Sequence, residues 1–454
     1  MHISVARFRN RENTYKVLLL LTAAAIGASI VRQSWMFLGT AFGLCLITLW
    51  PVQSTLGIFA LLVPFDSVLA LGSSDKGMTL TFVFGALAIA VLLGTGLGFQ
   101  RLATPPRAAL WWMLFVLWGA SSALWAYDQA AVVARFPTMF SLLVLYIIAS
   151  SYRMHEREFS GIVAMTILGG CLAALIAFYQ FYHGHIYQGA RGSLIIGSRE
   201  TDPNIFAASL LLPLSLAVGE FWVTVGLFRR MLMLLAAGAI ATGIFVTMSR
   251  GALLALAAMV IVYLVKLRMS WRIFVPVTVL LIGLLFSPKL LFKRVEKAEA
   301  TGGAGRLYIW QAGAAAFKDH SLVGAGLENF SAIHYKYAGA ARKFVGLHRD
   351  PHNIYLQTGV ELGIVGLSLL ACAIVSQLRM PNPWRGGRAA IASEMQVTAC
   401  QAAAWGMLIA SFFLGVLWIK SFWLVWMLLN LASQKRMAES TPSEFVVSRY
   451  SVAR

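Results

Sequence analysis

Residues 350–378 read DPHNIYLQTGVELGIVGLSLLACAIVSQL, and this stretch decides the fold. From Asn353 to Leu378 it is an apolar run long enough to cross a ~30 Å hydrocarbon core as a helix rising ~1.5 Å per residue. Immediately ahead lies a basic stretch without membrane character, about 288–351. His352 stands on the boundary between the two. An imidazole titrates near neutral pH, and an ionisable group at the bilayer rim is costly to place without a use.

Working outward, apolar runs recur along most of the 454 residues, of which 59% are hydrophobic and 12% charged. The mean hydropathy of +0.75 lies outside the range of soluble domains. Candidate spans fall at about 15–31, 34–50, 54–71, 78–98, 108–126, 132–151, 159–182, 204–225, 231–248, 251–268, 272–287, 353–378, 395–415 and 419–432. Several are short, so the expectation is all-α, a polytopic helical membrane protein with about 12 (12–14) transmembrane helices. The chain divides into 1–287, spans with short loops; 288–352, a large outer loop or cap; 353–434, C-terminal spans; and 435–454, a cytoplasmic tail.

Charge sets the orientation. The net charge is +19, from 37 Lys and Arg against 18 Asp and Glu. In a soluble chain this would suggest nucleic acid, but no nucleic-acid module is present, and cytoplasmic loops collect Lys and Arg because that bias sets topology. With the N-terminus inside, the cytoplasmic segments hold Arg101 and Arg107, Arg153 and Arg157, Arg229 and Arg230, Lys266, Arg268 and Arg272, Arg379, Arg385 and Arg388, and Lys435 and Arg436. The short outer loops hold Arg32, Lys76, Arg191, Arg199, Arg250 and Lys420. The outer stretch 288–351 is the exception, with ten Lys and Arg against five acids. Long loops escape the topology rule, so attraction to an anionic headgroup or substrate is the natural cause. Within it, Leu307, Trp310, Ala314 and Phe317 recur at helical spacing. Gly302, Gly303 and Gly305 break the chain before that helix, and Gly324, Gly326 and Gly339 break it after, which predicts a compact helical cap.

Several residues could carry chemistry. His352 can accept a proton from a hydroxyl. The competing reading is a helix start, with Asp350 as cap and Pro351 in the first position; that accounts for Asp-Pro but not for His-Asn. Arg191 and Arg199 flank 192–198 in an outer loop that ends Glu200-Thr201-Asp202-Pro203-Asn204, and Arg250 sits in a Ser249-Arg250-Gly251 turn. A guanidinium there is a fork for phosphate oxygens; snorkelling, or pairing with Glu200 or Asp202, is the plainer reading of each one. A cluster on the face that bears His352 favours phosphate. Asp66 is an intramembrane carboxylate that either functions or pairs. His183 and His185 lack further ligands for a metal, and Cys45, Cys171, Cys372 and Cys400 read as packing residues, so neither a metal nor a cofactor is expected.

Three stretches together resemble one family. Phe317-Lys318-Asp319-His320-Ser321-Leu322-Val323-Gly324-Ala325-Gly326-Leu327-Glu328-Asn329-Phe330 resembles its hPllGxGxgnf signature, with Ser321 where proline is usual. Pro351 to Leu356, continued by Glu361 to Leu367, resembles HNxyLxxxxexGixGl; Ser249 to Leu254 resembles its SRGall turn, and Asp202-Pro203-Asn204 also fits. The family is that of the O-antigen ligases and polymerases, glycosyltransferases of the bacterial inner membrane. The resemblance implies a GT-C-like helical membrane fold, a large periplasmic loop, an active site facing the periplasm, and a glycan donor on undecaprenyl pyrophosphate. Through it His352 becomes the catalytic base, Arg306 a catalytic cation, Arg250 and one or both of Arg191 and Arg199 pyrophosphate ligands, and Asn353 and Asn204 supporting residues. The single basic loop suits lipid A-core as acceptor, hence an O-antigen ligase in a membrane-lipid setting. A growing lipid-linked chain (a polymerase) and a protein hydroxyl (an O-oligosaccharyltransferase) are the alternatives within the family. A transporter or flippase of lipid-linked glycans is the alternative of a different class.

Overall fold

The computed structural model describes residues 49–71, 78–187, 191–267, 305–344, 346–379 and 388–440. After a helical stretch Gln53–Phe65, the helices are α1 (Leu80–Gly98), α2 (Arg107–Ser121), α3 (Gln129–Ser151), α4 (Glu156–Tyr182), α5 (Pro203–Ser209), α6 (Leu211–Val223), α7 (Leu227–Val246), α8 (Arg250–Lys266), α9 (Arg306–Asp319), α10 (Phe330–Tyr337), α11 (Ile354–Leu378), α12 (Arg388–Ala410) and α13 (Lys420–Ser440). Two short antiparallel strand pairs occur, one joining 70–71 to 78–79 and the other 195–196 to 199–200.

Among the described residues seven helices are long and apolar enough to cross a membrane: α1, α2 with its extension to Leu124, α3, α4, α5 joined to α6, α7 and α11. The expected spans 15–31 and 272–287, and nearly all of 34–50, lie outside the described residues. The expected span 54–71 is a helix only as far as Phe65. The last helix runs on to Ser440, past the point where the sequence reading ended it. Outward faces support a lipid setting. Leu168, Leu172 and Leu175 of α4 are each more than 40% exposed at helical spacing, a stripe that water would penalise, and Tyr179 and Tyr182 follow it at the helix end, where interfacial aromatics belong.

Inside, α2 packs along α11, and α12 packs between α6, α8 and α13. Trp112 of α2, packed on Phe115, meets Phe422, Trp423 and Trp426 of α13, all essentially unexposed, with Trp112 and Trp423 centroids 5.0 Å apart. A polar knot lies beside them. Asn430 Nδ2 donates to Tyr146 Oη (3.1 Å) and Ser150 Oγ (2.8 Å), and Tyr146 Oη donates to Gln377 Oε1 (2.6 Å). Such bonds tie helices where lipid removes the hydrophobic drive between them.

The helix α11 is broken at Gly363, where φ is +66° and ψ −165°. In hydrocarbon every freed backbone group costs several kcal/mol unless it is met within the protein. Here all the partners come from two places. Ala325 and Gly326 N–H donate to the carbonyls of Val360 and Glu361, both at 2.9 Å. Trp118 Nε1 donates to Leu362 O (3.0 Å), and Ile364 N–H donates to Ser321 O (2.8 Å). The loop 321–327 therefore fills the break, and α2 closes it. A side chain at Gly324 (φ +79°) would overlap the Glu361 carbonyl, and one at Gly363 would overlap that of Leu322. The loop continues into Asn329, fully buried, which accepts from Asp128 N–H (2.5 Å) and donates to Asp128 O (3.1 Å), while Glu328 pairs with Arg135 at 2.6 Å.

The cap helix expected from Arg306 to Phe317 forms as α9, with a shifted inner face. Ile309, Ala312, Gly313 and Ala316 are buried, while Leu307 is 52% exposed and Ala314 is also outside. The reason is Phe330 and Leu356, which contact α9 at Gly313, one residue ahead of the expected line. Gly324→Ala is expected to lower stability by roughly 2–3 kcal/mol, from overpacking together with a left-handed backbone. Gly94→Ala, in α1 with open space around it, should not lower stability and should at most raise it slightly through helix propensity. Thermal unfolding of the two purified variants measures the difference.

Candidate functional site

The candidate charges at Arg250, Arg306 and His352, and the Asp-Pro-Asn motif, all sit at helix starts. Asp202 caps α5, its Oδ1 accepting from Asn204 N–H (2.8 Å) and Ile205 N–H (3.1 Å). Ser249 caps α8 through Ala252 N–H at 3.4 Å. Gly305, at φ +84°, precedes α9 and offers no side chain as a cap. Asn353 caps α11, its Oδ1 accepting from Tyr355 N–H (3.0 Å) and Leu356 N–H (3.1 Å). The Asp350 cap considered from the sequence is thereby corrected: Asn353 does the capping three residues later, and His352 is left over. His352 stands at φ +46°, a left-handed backbone that non-glycine residues adopt rarely.

The charges follow from those starts. Arg250 is the first residue of α8 and Arg306 the first of α9. Burial depresses the Arg306 guanidinium's affinity for its proton, the Arg250 charge depresses it further, and Asp202 opposes both. The His352 imidazole lies below its ordinary value for related reasons. Desolvation comes first and the Arg306 charge second; Asp350 and Asp202 oppose them, and Arg349 adds to them. His352 is exposed by surface area yet flanked by enough protein to lose part of its hydration, a rim position open on one side. Arg250, Arg306, Asp202, Asp350 and His352 therefore share one electrostatic neighbourhood. At neutral pH its imidazole is mainly neutral and able to take a proton.

Packing holds the pieces together. Trp310, one turn into α9 from Arg306, donates its indole N–H to Pro351 O (2.9 Å). Ile354 N–H donates to Ser411 O (3.0 Å) in the turn between α12 and α13. Phe413 of that turn lies 6.4 Å from Trp310 between ring centroids and against Gly251, where an added Cβ would sit 3.2 Å from it. One aromatic thus touches the residue after Arg250 and the residue one turn after Arg306. Sequence reasoning missed Ser411 and Phe413, which carry no local signal. It also passed over Glu361, 2% exposed, whose Oε1 accepts from Phe330 N–H and Gln357 Nε2, both at 3.2 Å.

The two arginines of the earlier loop differ. Arg191 donates from Nε to Thr247 O (2.9 Å) and from a terminal nitrogen to Asn204 Oδ1 (2.6 Å), and the next residue, Gly192, donates its N–H to Val246 O (2.7 Å). It straps α5 to the end of α7, and Asn204 serves as its acceptor. Arg199 sits in the short strand pair opposite Ile196. Neither is among the charges that shift His352 or Arg306. Asp66 pairs with Lys420 at 2.6 Å and so ties the Gln53–Phe65 stretch to the start of α13. His183 Nδ1 is bonded to Tyr179 O at 2.9 Å. Among the described residues no group of three or more His, Cys, Asp or Glu could hold a metal ion.

A family model described as O-antigen ligase matches residues 232–371. The match takes in the Ser249-Arg250-Gly251 turn, α8, α9, the loop in the break, His352 and the break itself. The resemblance read from the motifs holds over that stretch, and it supports an enzyme of the O-antigen ligase and polymerase type. Arg191, Arg199 and Asn204 lie before it. No curated protein matches the chain.

Replacing Arg306 by Gln removes a neighbouring positive charge, so the imidazolium of His352 becomes easier to form and its titration midpoint should rise toward the ordinary value. Histidine-labelled NMR of the two proteins, with the signal assigned by its loss in His352→Gln, reads this directly. A midpoint that stays in place or falls rejects the shared neighbourhood.

Proposed function

We propose that the protein is an inverting glycosyltransferase that moves a glycan from undecaprenyl pyrophosphate to a sugar hydroxyl of lipid A-core. The observation that carries this reading is that packing brings three helix starts together, Trp310 of α9 bonding Pro351 O and Phe413 lying against both Trp310 and Gly251, so that Arg306 acts on His352 and Arg250 on Arg306. The donor's bond from the anomeric carbon to the pyrophosphate oxygen breaks, and that oxygen keeps the electron pair. Arg306 and Arg250 neutralise the charge that develops there, as preorganised cations do best in a partly desolvated site. The acceptor hydroxyl oxygen attacks the opposite face of the anomeric carbon, and His352 takes its proton. One direct displacement inverts the centre and needs no covalent enzyme intermediate. Arg191 and Asn204 act by holding α5 in place, and Asn353 by fixing the backbone beside His352. We place the reaction at the periplasmic face of the inner membrane, in a GT-C-like frame of about twelve spans.

Lipid A-core is favoured over a growing chain or a protein hydroxyl because the cap is basic and the inner core is phosphorylated. A flippase is the reading from another class, and broken helices are typical of transporters. The break in α11, however, is met by the chain's own loop 321–327, and the interacting charges gather at helix starts.

The test is glycan transfer by purified protein from lipid-linked donor to lipid A-core with no energy source. His352→Ala should reduce transfer by about 10²–10⁴-fold, and Arg306→Gln by about 10²–10³-fold, with thermal unfolding unchanged in each. Full transfer by the His352 variant rejects the base, and turnover only with a protein or lipid-linked chain as acceptor reassigns the substrate.

A further inference from the structure

A cavity lies at the end of the bundle away from His352. The helices α3 and α13 begin near the His352 end, where Tyr127 N–H meets Ala325 O and Ile354 N–H meets Ser411 O, and they finish here. The cavity, of about 530 Å³, is lined by residues 103–107, Arg153, Met154 and Phe159, and by Leu431, Gln434, Lys435 and Met437 of α13. Its volume suits a small amphiphile's headgroup and first methylenes rather than a lone ion.

The lining has two parts. Met154, Phe159 and Leu431 give it an apolar floor, while Arg107, Arg153 and Lys435 give it three cations and no acid. Lys435 is compensated from outside, donating to Glu156 Oε1 (3.0 Å) and Gln396 Oε1 (3.1 Å). Arg107 and Arg153 are exposed, and among the described residues neither has a carboxylate within ion-pair distance. Neighbouring charges at this end are handled differently. Arg101 is paired with Glu158, Arg436 with Glu394, and a larger recess of about 880 Å³ nearby is lined by Arg101 and Arg157 together with Glu156 and Glu158. A topological excess of arginine explains cations at this end in general. Among the described residues, arginines without an ion-pair partner also occur elsewhere at this end, Arg157, Arg229 and Arg230 included, but Arg107 and Arg153 are the two that line a cavity with an apolar floor.

We propose that this cavity binds an anionic phospholipid, its phosphate against Arg107 and Arg153 and its glycerol and first methylenes against Phe159 and Leu431. The loop charges read this as the cytoplasmic face, where headgroups lie and basic pockets between helices take up acidic lipids. A guanidinium pair offers the forked donors a phosphodiester needs. The site is independent of the transfer reaction, lying at the opposite end from His352.

Full-length protein in detergent, titrated with phosphatidylglycerol, phosphatidylcholine or inorganic phosphate while thermal unfolding is followed, tests it. Phosphatidylglycerol should raise the midpoint, whereas phosphatidylcholine and phosphate should not. The double variant R107Q/R153Q should bind phosphatidylglycerol at least tenfold more weakly, while R229Q/R230Q, exposed at the start of α7, should bind as the parent does. Unchanged affinity in R107Q/R153Q overturns the proposal, and so does phosphatidylcholine or phosphate acting as well as phosphatidylglycerol. Should the double variant not fold, competition between the two lipids for the parent protein, read by native mass spectrometry, decides instead: no preference for the anionic lipid rejects the site.

Discussion

A backbone break inside a helix that crosses hydrocarbon has to find its hydrogen bonds within the protein, and that requirement organises the half of the molecule around His352. Three carbonyls and one N–H at residues 360–364 are met by the loop 321–327 and by the Trp118 indole. Meeting them fixes the loop against α11. The loop in turn fixes α10 through Asn329, Glu361 and Phe330, and it sets the end of α9. With α9 held there, Arg306 begins its helix near His352, and Trp310 reaches the Pro351 carbonyl. The site is therefore built from below by the break and from above by the Asn353 cap. Neither feature is itself chemical.

The electrostatics follow the same logic. Bringing Arg306, Arg250 and His352 together is unfavourable for their positive forms, as the depressed proton affinities of Arg306 and His352 record. Asp202 and Asp350 offset part of that repulsion without removing it. A neighbourhood left net positive at helix starts is suited to an anion that arrives and departs, because the ligand's charge completes what the protein leaves incomplete. Arg191 is held differently, donating to Thr247 O and Asn204 Oδ1 inside the protein.

The sequence revealed some of this and hid the rest for physical reasons. Long apolar runs such as Glu156–Tyr182 and Ile354–Leu378 announce themselves, because a span must be apolar over its whole length. The turn at Ser249 was legible between two apolar runs, and the helix starting at Arg306 through its periodicity and flanking glycines. The inner face of α9 was not, since Phe330 arrives from a separate segment and moves it by one residue. The glycines at 324 and 363 stood out as motif letters, yet their meaning is a contact between two segments, which no single stretch encodes. Whether Asp350 or Asn353 caps α11 was not legible, because both are good caps and only the backbone decides. Phe413 and Ser411 carry no local signal at all; they matter through what the turn after α12 touches.

The break in α11 also bears on how the chain is made. Synthesis runs from the N-terminus, and domains generally fold in that order. Trp118 and the segment 321–327 both precede residue 360, so every partner needed at the break has left the ribosome before the break itself emerges. The nascent helix never has to wait in lipid with orphaned carbonyls for a later segment. A circular permutation that moved 306–337 behind α13 would reverse this order, turning a helix that inserts with its partners ready into one that must insert without them.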